Sequence, residues 1–430
     1  MTARGHRQVL PPADDCNMNA EESAAIVVDE FAPARRSLRL AVVTETYPPE
    51  INGVAATVAR LVEGLRARQH ELQLIRPRQD RTEAAGSGER FHEVLLRGLP
   101  IPNYPALKMG LPSKRALAKL WALRRPDLVH ICTEGPLGWS ALQAARLLRL
   151  PVTSEFRTNF HAYSRHYGVG WLARPIAAYL RKFHNRCDAT MVPTEALRSE
   201  LTGHGFARLH VVARGVDTRL FDPARRSAEL RCAWGADGQT RVALYVGRLA
   251  PEKNLGVLSR AYDAMQAVDA RCRLVLVGDG PQRAALQARH PQAVFAGMRS
   301  GADLAAHYAS GDLFLFPSET ETFGNVVPEA LASGLAVLAY DYAAAARLIR
   351  TGYNGELVPL GDAAAFAARA AELAAQPARV ESLRQVARSR ALELGWDSVV
   401  AQFESVLLAA IRQHAPLRGE LPAAMTPQVR

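Results

Sequence analysis

From Leu38 onward the chain alternates two kinds of segment: short runs dense in Val, Leu and Ile, and longer stretches whose apolar positions recur at helical spacing. That alternation is the pattern of parallel sheets covered by helices. In the first half it predicts strands at 38–43 (LRLAVV), 71–75, 93–96, 127–132, 151–156, 188–192 and 209–213, with helices over 54–68, 137–149, 171–186 and from Thr194. The second half restarts the pattern, with strands at 242–246 (VALYV), 273–277 (RLVLV), 312–316 (DLFLF), 335–339 and 355–358 and helices between them. Each half therefore reads as an α/β, doubly wound, Rossmann-like domain, whose ligands bind beyond the carboxyl ends of the strands. Two such domains in series place a cleft between their strand ends. The expected division is 38–215 and 216–395, with the switch near Gly215-Val216-Asp217. A helix over 396–412 (WDSVVAQFESVLLAAIR), within a terminal segment 396–414, has an apolar face that can pack back across both domains. Residues 1–37 and 415–430 lack periodicity and are expected to be a disordered extension and a flexible tail.

Composition narrows the class. Five scattered cysteines, Cys16, Cys132, Cys187, Cys232 and Cys272, show no paired short spacing, which argues against a zinc site or a disulfide framework and fits a reducing cytoplasm. The start is Pro-rich and acidic at Asp14 and Asp15, unlike a signal peptide, and no apolar run is long enough to span a membrane. The formal net charge of +11 fits a surface that meets phosphates, on a nucleotide or on anionic lipid, and fits equally an arginine-rich coding habit. The charge is dispersed and no nucleic-acid module is recognisable, so nucleic acid is not an expected partner.

The most informative stretch, Pro317-Ser318-Glu319-Thr320-Glu321-Thr322-Phe323-Gly324-Asn325-Val326-Val327-Pro328-Glu329-Ala330, follows the strand DLFLF. Proline is tolerated only in the first turn of a helix, so a helix must open just before Pro328, with Asn325 as its expected N-cap. The amides of Thr322, Phe323 and Gly324 then face a ligand oxygen. A carboxylate accepts hydrogen bonds from vicinal hydroxyls, so one of Glu321 and Glu329 can hold a ribose diol while the other reaches a sugar. A solvated loop acid and a helix-start acid would look the same.

Gly247-Arg248-Leu249-Ala250-Pro251-Glu252-Lys253-Asn254 follows the strand VALYV and places two cations at its end, where a departing diphosphate would need neutralising. There is no Asp-x-Asp pair for a metal, and Lys253 is the only lysine beyond Lys182, so Arg248 and Lys253 are the candidates, with no metal and no cofactor expected. A plain salt bridge to Glu252 is the competing reading. Gly278-Asp279-Gly280 allows close backbone approach to a phosphate, and Gly297-Met298-Arg299 can line a nucleobase; alone, each is only a turn. In the first half, the loop holding Tyr47, Asn52 and Gly53 joins strand to helix. The loop holding Arg157, Asn159 and His161 concentrates polar and aromatic groups where an acceptor or a donor sugar would lie.

With these motifs the sequence from about Leu38 to Arg412 resembles glycosyltransferase family 4, retaining enzymes of the two-domain GT-B architecture. The resemblance implies that Glu321 contacts the transferred sugar and Glu329 the ribose. Arg248 and Lys253 would bind the donor diphosphate, assisted by the Gly53 loop. It further implies front-side displacement, in which the leaving phosphate takes the acceptor's proton. Many members carry histidine where Arg157 stands, and asparagine where Arg214 precedes Gly-Val-Asp. Arg157-Thr158-Asn159-Phe160 with Arg214-Gly215-Val216-Asp217 is similar to a subgroup of GDP-mannose-dependent α-mannosyltransferases. The implied partners are a nucleotide-sugar donor and a lipid or glycan acceptor.

The stretch 171–186 combines Trp171, Tyr179 and Phe183 with Arg174, Arg181, Lys182 and Arg186. It reads either as a basic helix lying on the inner face of the membrane or as an ordinary domain helix with a solvated basic side. Three other functions remain open: a UDP-sugar-dependent transferase, a nucleotide-sugar epimerase, and a non-catalytic binding protein on the same fold.

Overall fold

A computed structural model describes residues 37–157 and 173–414, apart from positions 51, 81, 102 and 103. Strands β1 (Arg39–Val43), β2 (Glu71–Pro77), β3 (Ser87–Gly88) and β4 (Phe91–Leu96) precede a separate hairpin of β5 (Gly98–Ile101) and β6 (Tyr104–Gly110). Strands β7 (Leu128–Ile131), β8 (Val152–Glu155), β9 (Ala189–Val192) and β10 (Leu209–Val211) complete the first half. The second half carries β11 (Val242–Val246), β12 (Arg273–Val277), β13 (Val294–Gly297), β14 (Leu313–Phe316), β15 (Ala336–Tyr340) and β16 (Glu356–Val358).

The first sheet runs β10-β9-β8-β7-β1-β2-β4-β3 and the second β13-β12-β11-β14-β15-β16. Every pairing in the second sheet is parallel, as is every one in the first except β3 with β4. Both sheets thus wind outward from a central first strand, β1 or β11, in the two directions of a Rossmann sheet. The hairpin β5–β6 and the helix Lys114–Leu123 are additions that the periodicity did not announce. Pro100 and Pro105 lie in the hairpin, and proline demotes a run that otherwise reads as strand.

Alternating side chains of β1 feed both faces of the first sheet. Leu40 and Val42 join one cluster with Val58 and Leu61 of helix Gly53–Ala67; Ala41 and Val43 join the other with Trp121 and Leu142. The first cluster also contains Val399, Val400, Phe403 and Leu407 of the C-terminal helix Trp396–His414, which is therefore a covering layer of the first domain. At Gly64 the helices approach so closely that a Cβ would stand 2.5 Å from Val400 Cγ2. Glu404 ties the same helix to Arg68 at 2.9 Å and to His70 at 3.1 Å. The chain crosses between domains twice, and the two crossings pair with each other: Val216 N–H donates to the Leu394 carbonyl at 3.0 Å, beside a Val216–Gly395 bridge.

Candidate active site

The loops that follow β11, β12 and β13 form one stack. Gly247 N–H donates to Val277, Gly278 N–H to Gly297, and Leu249 N–H to Asp279. Gly278 has φ +135°, and a Cβ there would lie 2.0 Å from the Gly247 carbonyl oxygen, so only glycine lets these two turns touch. The segments around Gly247 and Gly278, separate in sequence, thus share one surface at the strand ends. Met298, just beyond them, is exposed.

The loop after β14 is stapled to the loop after β11. Lys253 Nζ forms an ion pair with Glu321 Oε1, Asn254 Nδ2 donates to Glu319 Oε1 at 2.7 Å, and Thr320 Oγ1 donates to the Glu252 carbonyl at 3.0 Å. Ser318 Oγ donates to the same Glu321 oxygen at 2.7 Å. Burial pushes the Glu321 carboxyl up, but the charge and hydrogen bond of Lys253, the Ser318 hydroxyl and the charge of Arg214 outweigh it and hold Glu321 below the ordinary carboxylate value. Lys253 and Glu321 are thereby brought together. Arg248 takes the course set against its phosphate role above: it pairs with the buried Glu252, while keeping part of its surface open.

Helix Val326–Ala332 opens two residues before Pro328. Asn325 stands at the N-cap position as expected, its backbone already helical at φ −55° and ψ −27°, but its side chain does not cap the helix. It reaches instead toward the first domain, with Nδ2 3.5 Å from the Gly53 carbonyl and from Thr57 Oγ1. The Phe323 ring is buried in the second domain's core, which leaves its backbone amide as the part that can face a ligand. Gly324, at φ +89°, occupies the left-handed region that lets the loop turn into the helix.

Glu329 is half-buried and accepts from Tyr308 Oη at 2.9 Å. Loss of hydration raises its pKa to about 7, and the tyrosine only partly offsets this. The sign is that of a raised acid. The protonated form stabilises the fold fully below the ordinary value of 4.5, and that contribution is lost as pH rises through about 7. A ribose diol donates to the ionised form. Nucleotide affinity is accordingly expected to strengthen between about pH 6 and 8, where this group ionises; Glu329→Gln should remove that part of the dependence when the same nucleotide is titrated into both proteins.

The first domain faces these loops with a buried ion cluster at the ends of β8 and β10. Arg157, 5% exposed, forms an ion pair with Glu155 through Nη2, while its Nε and Nη1 have no hydrogen-bond partner among the described residues. Burial raises the Glu155 carboxyl; Arg157, His130 and Arg214 more than compensate and hold it below its ordinary value. Arg214 is lowered to about 10, first by burial and then by Arg157, while Glu155 and Glu321 pull it back. Arg214 and Glu321 therefore sense each other across the gap between domains. Thr322 Oγ1 donates to the Arg157 carbonyl at 3.1 Å, closing the contact.

Sequence reasoning noted Arg214 without assigning it a place in the site, quoted Asn254 and Ser318 only as parts of their motifs, and did not single out Glu155 or Tyr308. Of these only Glu155 carried a usable signal, a charged residue ending an otherwise buried strand. Gly53 opens its helix beside Asn325. The Asn52 side chain is committed to structure: Oδ1 accepts from Val54 and Ala55 N–H, and Nδ2 donates to Thr46 at 2.7 Å. Tyr47 packs on the first-domain core with Arg76 over its ring at 5.9 Å. Asn159, His161 and Trp171 lie outside the described residues, as do 1–36 and 415–430. In helix Ala173–His184, Leu180 and Phe183 are buried in the domain while Arg174, Arg181 and Lys182 are exposed, so its apolar face serves the fold and its basic side faces out. Among the described residues no helix is long and apolar enough to cross a membrane, and no group of three or more metal-ligating side chains occurs.

Two doubly wound domains meeting through charged loops at their strand ends define a GT-B glycosyltransferase architecture. Solved structures agree in fold. Sucrose-phosphate synthase from Thermosynechococcus elongatus superposes with TM-score 0.72 at 19% identity, over 88% of this chain and all of that one. Anabaena HepE in complex with UDP and glucose gives 0.67 at 18%, over 86% of this chain and all of that one. The model of Glycosyltransferase Family 4 matches residues 51–220, and that of glycosyl transferases group 1 matches residues 240–376. A GDP-mannose-dependent alpha-mannosyltransferase of Mycobacterium tuberculosis is 40% identical over 329 residues, 76% of this chain and 85% of that protein. One of the same name from Mycolicibacterium smegmatis is 36% identical over 86% of this chain and 98% of its own length. The chain belongs to glycosyltransferase family 4.

Proposed function

We propose that this enzyme transfers mannose from GDP-mannose, with retention, to a hydroxyl of a lipid-borne acceptor at an anionic membrane surface. The observation that carries the reading is the Lys253–Glu321 pair, which joins the loop carrying Arg248 to the loop that turns into the helix of Glu329, and which Arg214, itself sensing Arg157, faces from the first domain. In the transfer the bond from the anomeric carbon to the diphosphate breaks and the acceptor oxygen bonds to that carbon on the same face. The acceptor's proton passes to a phosphate oxygen of the departing GDP. Lys253 and Arg248 are assigned to neutralising the developing phosphate charge without a metal, and Arg157 to the sugar side. Glu321 orients the sugar hydroxyls and Glu329 the ribose. The names of the relatives support mannose and GDP; the outward basic side of helix Ala173–His184 supports an anionic surface.

The test is a hydrolysis and binding screen over a panel of nucleotide sugars. GDP-mannose should be selected over UDP-glucose, and the rate should survive an excess of EDTA. A strict divalent-metal requirement would contradict the assignment of the leaving group to Lys253 and Arg248. Preference for a UDP-sugar would contradict the donor.

A further inference from the structure

The donor loops follow the carboxyl ends of the second sheet. A separate cavity of about 420 Å³ opens at the opposite ends of the same strands, a volume within the range of about 300–1,000 Å³ found for ligand pockets. Thr240 and Arg241 precede β11 there, Arg271 precedes β12 and Asp312 precedes β14. Helix Pro377–Leu392 closes one side with Val380, Glu381 and Arg384. No residue assigned above to transfer lines this cavity.

The wall is basic. Arg226, Arg231, Arg241, Arg271 and Arg384 line it against two carboxyls, Asp312 and Glu381. Asp312 is committed to the fold: its oxygens accept from Arg226 at 2.7 Å, from Arg231 at 3.0 Å and from Val242 N–H at 2.9 Å. Arg231 also donates to the Asp237 and Thr240 carbonyls, at 2.9 and 2.8 Å, and so fixes the loop that forms the rim. Arg226 and Arg231 are thus a rigid frame. The other three arginines are less fully engaged. Arg384 donates through Nε to the Gly334 carbonyl and through Nη1 to Glu381, an exposed neighbour on its own helix; its Nη2 makes no hydrogen bond among the described residues. Arg241 Nη2 stands 3.7 Å from Asp269, a carboxyl it shares with Arg271, which pairs there at 3.0 Å with more than half of its side chain exposed. Three carboxyls therefore face five guanidiniums. Pairs exposed to solvent, such as Arg384 with Glu381, compete only weakly for an arginine. The amino end of helix Pro377–Leu392, present in the wall as Pro377, adds the positive pole of its dipole.

We infer that this cavity is a second anion site, which takes a phosphate-bearing polyanion of the size of pyrophosphate on Arg241, Arg271 and Arg384. Every cation in the wall is arginine, whose planar fork meets phosphate oxygens in pairs. Because carbonyls and Asp312 already hold the frame, little further ordering is needed when an anion enters. The site is distinct from the donor site: the five residues of β11, roughly 16 Å of strand, lie between the two. It goes beyond the transfer reading and does not depend on it.

The experiment titrates pyrophosphate calorimetrically into the full chain saturated with GDP, at constant ionic strength in sodium chloride. The wild type should bind one equivalent. Arg384→Gln removes one cation of the wall. Gly238→Glu adds a carboxylate to the rim, at a position where a Cβ meets nothing within 4 Å, so it takes no contact from the fold. Each variant should weaken pyrophosphate about tenfold while GDP affinity, measured separately, stays within twofold. Absence of binding to the GDP-saturated wild type, or equal binding by all three proteins, overturns the site. Pyrophosphate binding that GDP displaces and Lys253→Ala abolishes belongs to the donor site and overturns it as well.

Discussion

Lys253→Ala should lower kcat/KM for the donor by about 10²- to 10³-fold, the scale for losing one preorganised charge partner of a developing anion. The effect has two sources in one residue. Lys253 is placed to meet the diphosphate, and its ion pair is also the leading reason that Glu321 stays ionised despite burial. Without the ammonium, burial dominates and the Glu321 carboxyl moves up toward its protonated form, so the sugar loses an anionic acceptor as the phosphate loses a cation. Lys253→Arg should recover part of the rate, since charge returns without the same geometry. Steady-state kinetics with GDP-mannose, together with GDP affinity, checks this. Wild-type turnover in Lys253→Ala would remove the donor assignment.

Arg157→Ala should cost about 3–5 kcal/mol of stability, because it strips the partner from a buried carboxylate. Glu155 has Arg157 as its principal compensating charge, with His130 and Arg214 secondary. Adding Glu155→Gln should return most of the lost thermal stability, since a neutral amide tolerates the site. It should not restore transfer if the guanidinium, whose Nε and Nη1 have no hydrogen-bond partner among the described residues, acts on the substrate. Transfer is expected to fall further than GDP binding, consistent with a place on the sugar side. A double variant that regains both stability and full transfer would make Arg157 purely structural.

Much of the fold was legible in the sequence because buried parallel strands are nearly continuous apolar runs. Residues 242–246 and 273–277 coincide with β11 and β12, and the helix start before Pro328 follows from proline stereochemistry alone. The hairpin β5–β6 was hidden by its prolines. At the site, the loops of Lys253 and Glu321 were each recognisable from their position after a strand, but their ion pair was not, because 68 residues separate them. The same holds for Arg157 with Thr322, 165 residues apart. Local chemistry places Asn325 at the helix start, yet the first domain competes for its side chain, a tertiary contact that no local rule contains. The pKa of Glu329 depends on Tyr308 and on burial by the surrounding fold, so the sequence could supply the carboxylate but not its poise.

Calorimetric titration of GDP into the wild-type protein in EDTA, repeated with Lys253→Ala and Glu329→Gln, addresses the grip on the nucleotide most directly. Saturable binding by the wild type, weakened at least tenfold by each substitution, is the expected result. Binding that vanishes in EDTA and returns with magnesium or manganese, or that is the same in all three proteins, would contradict it.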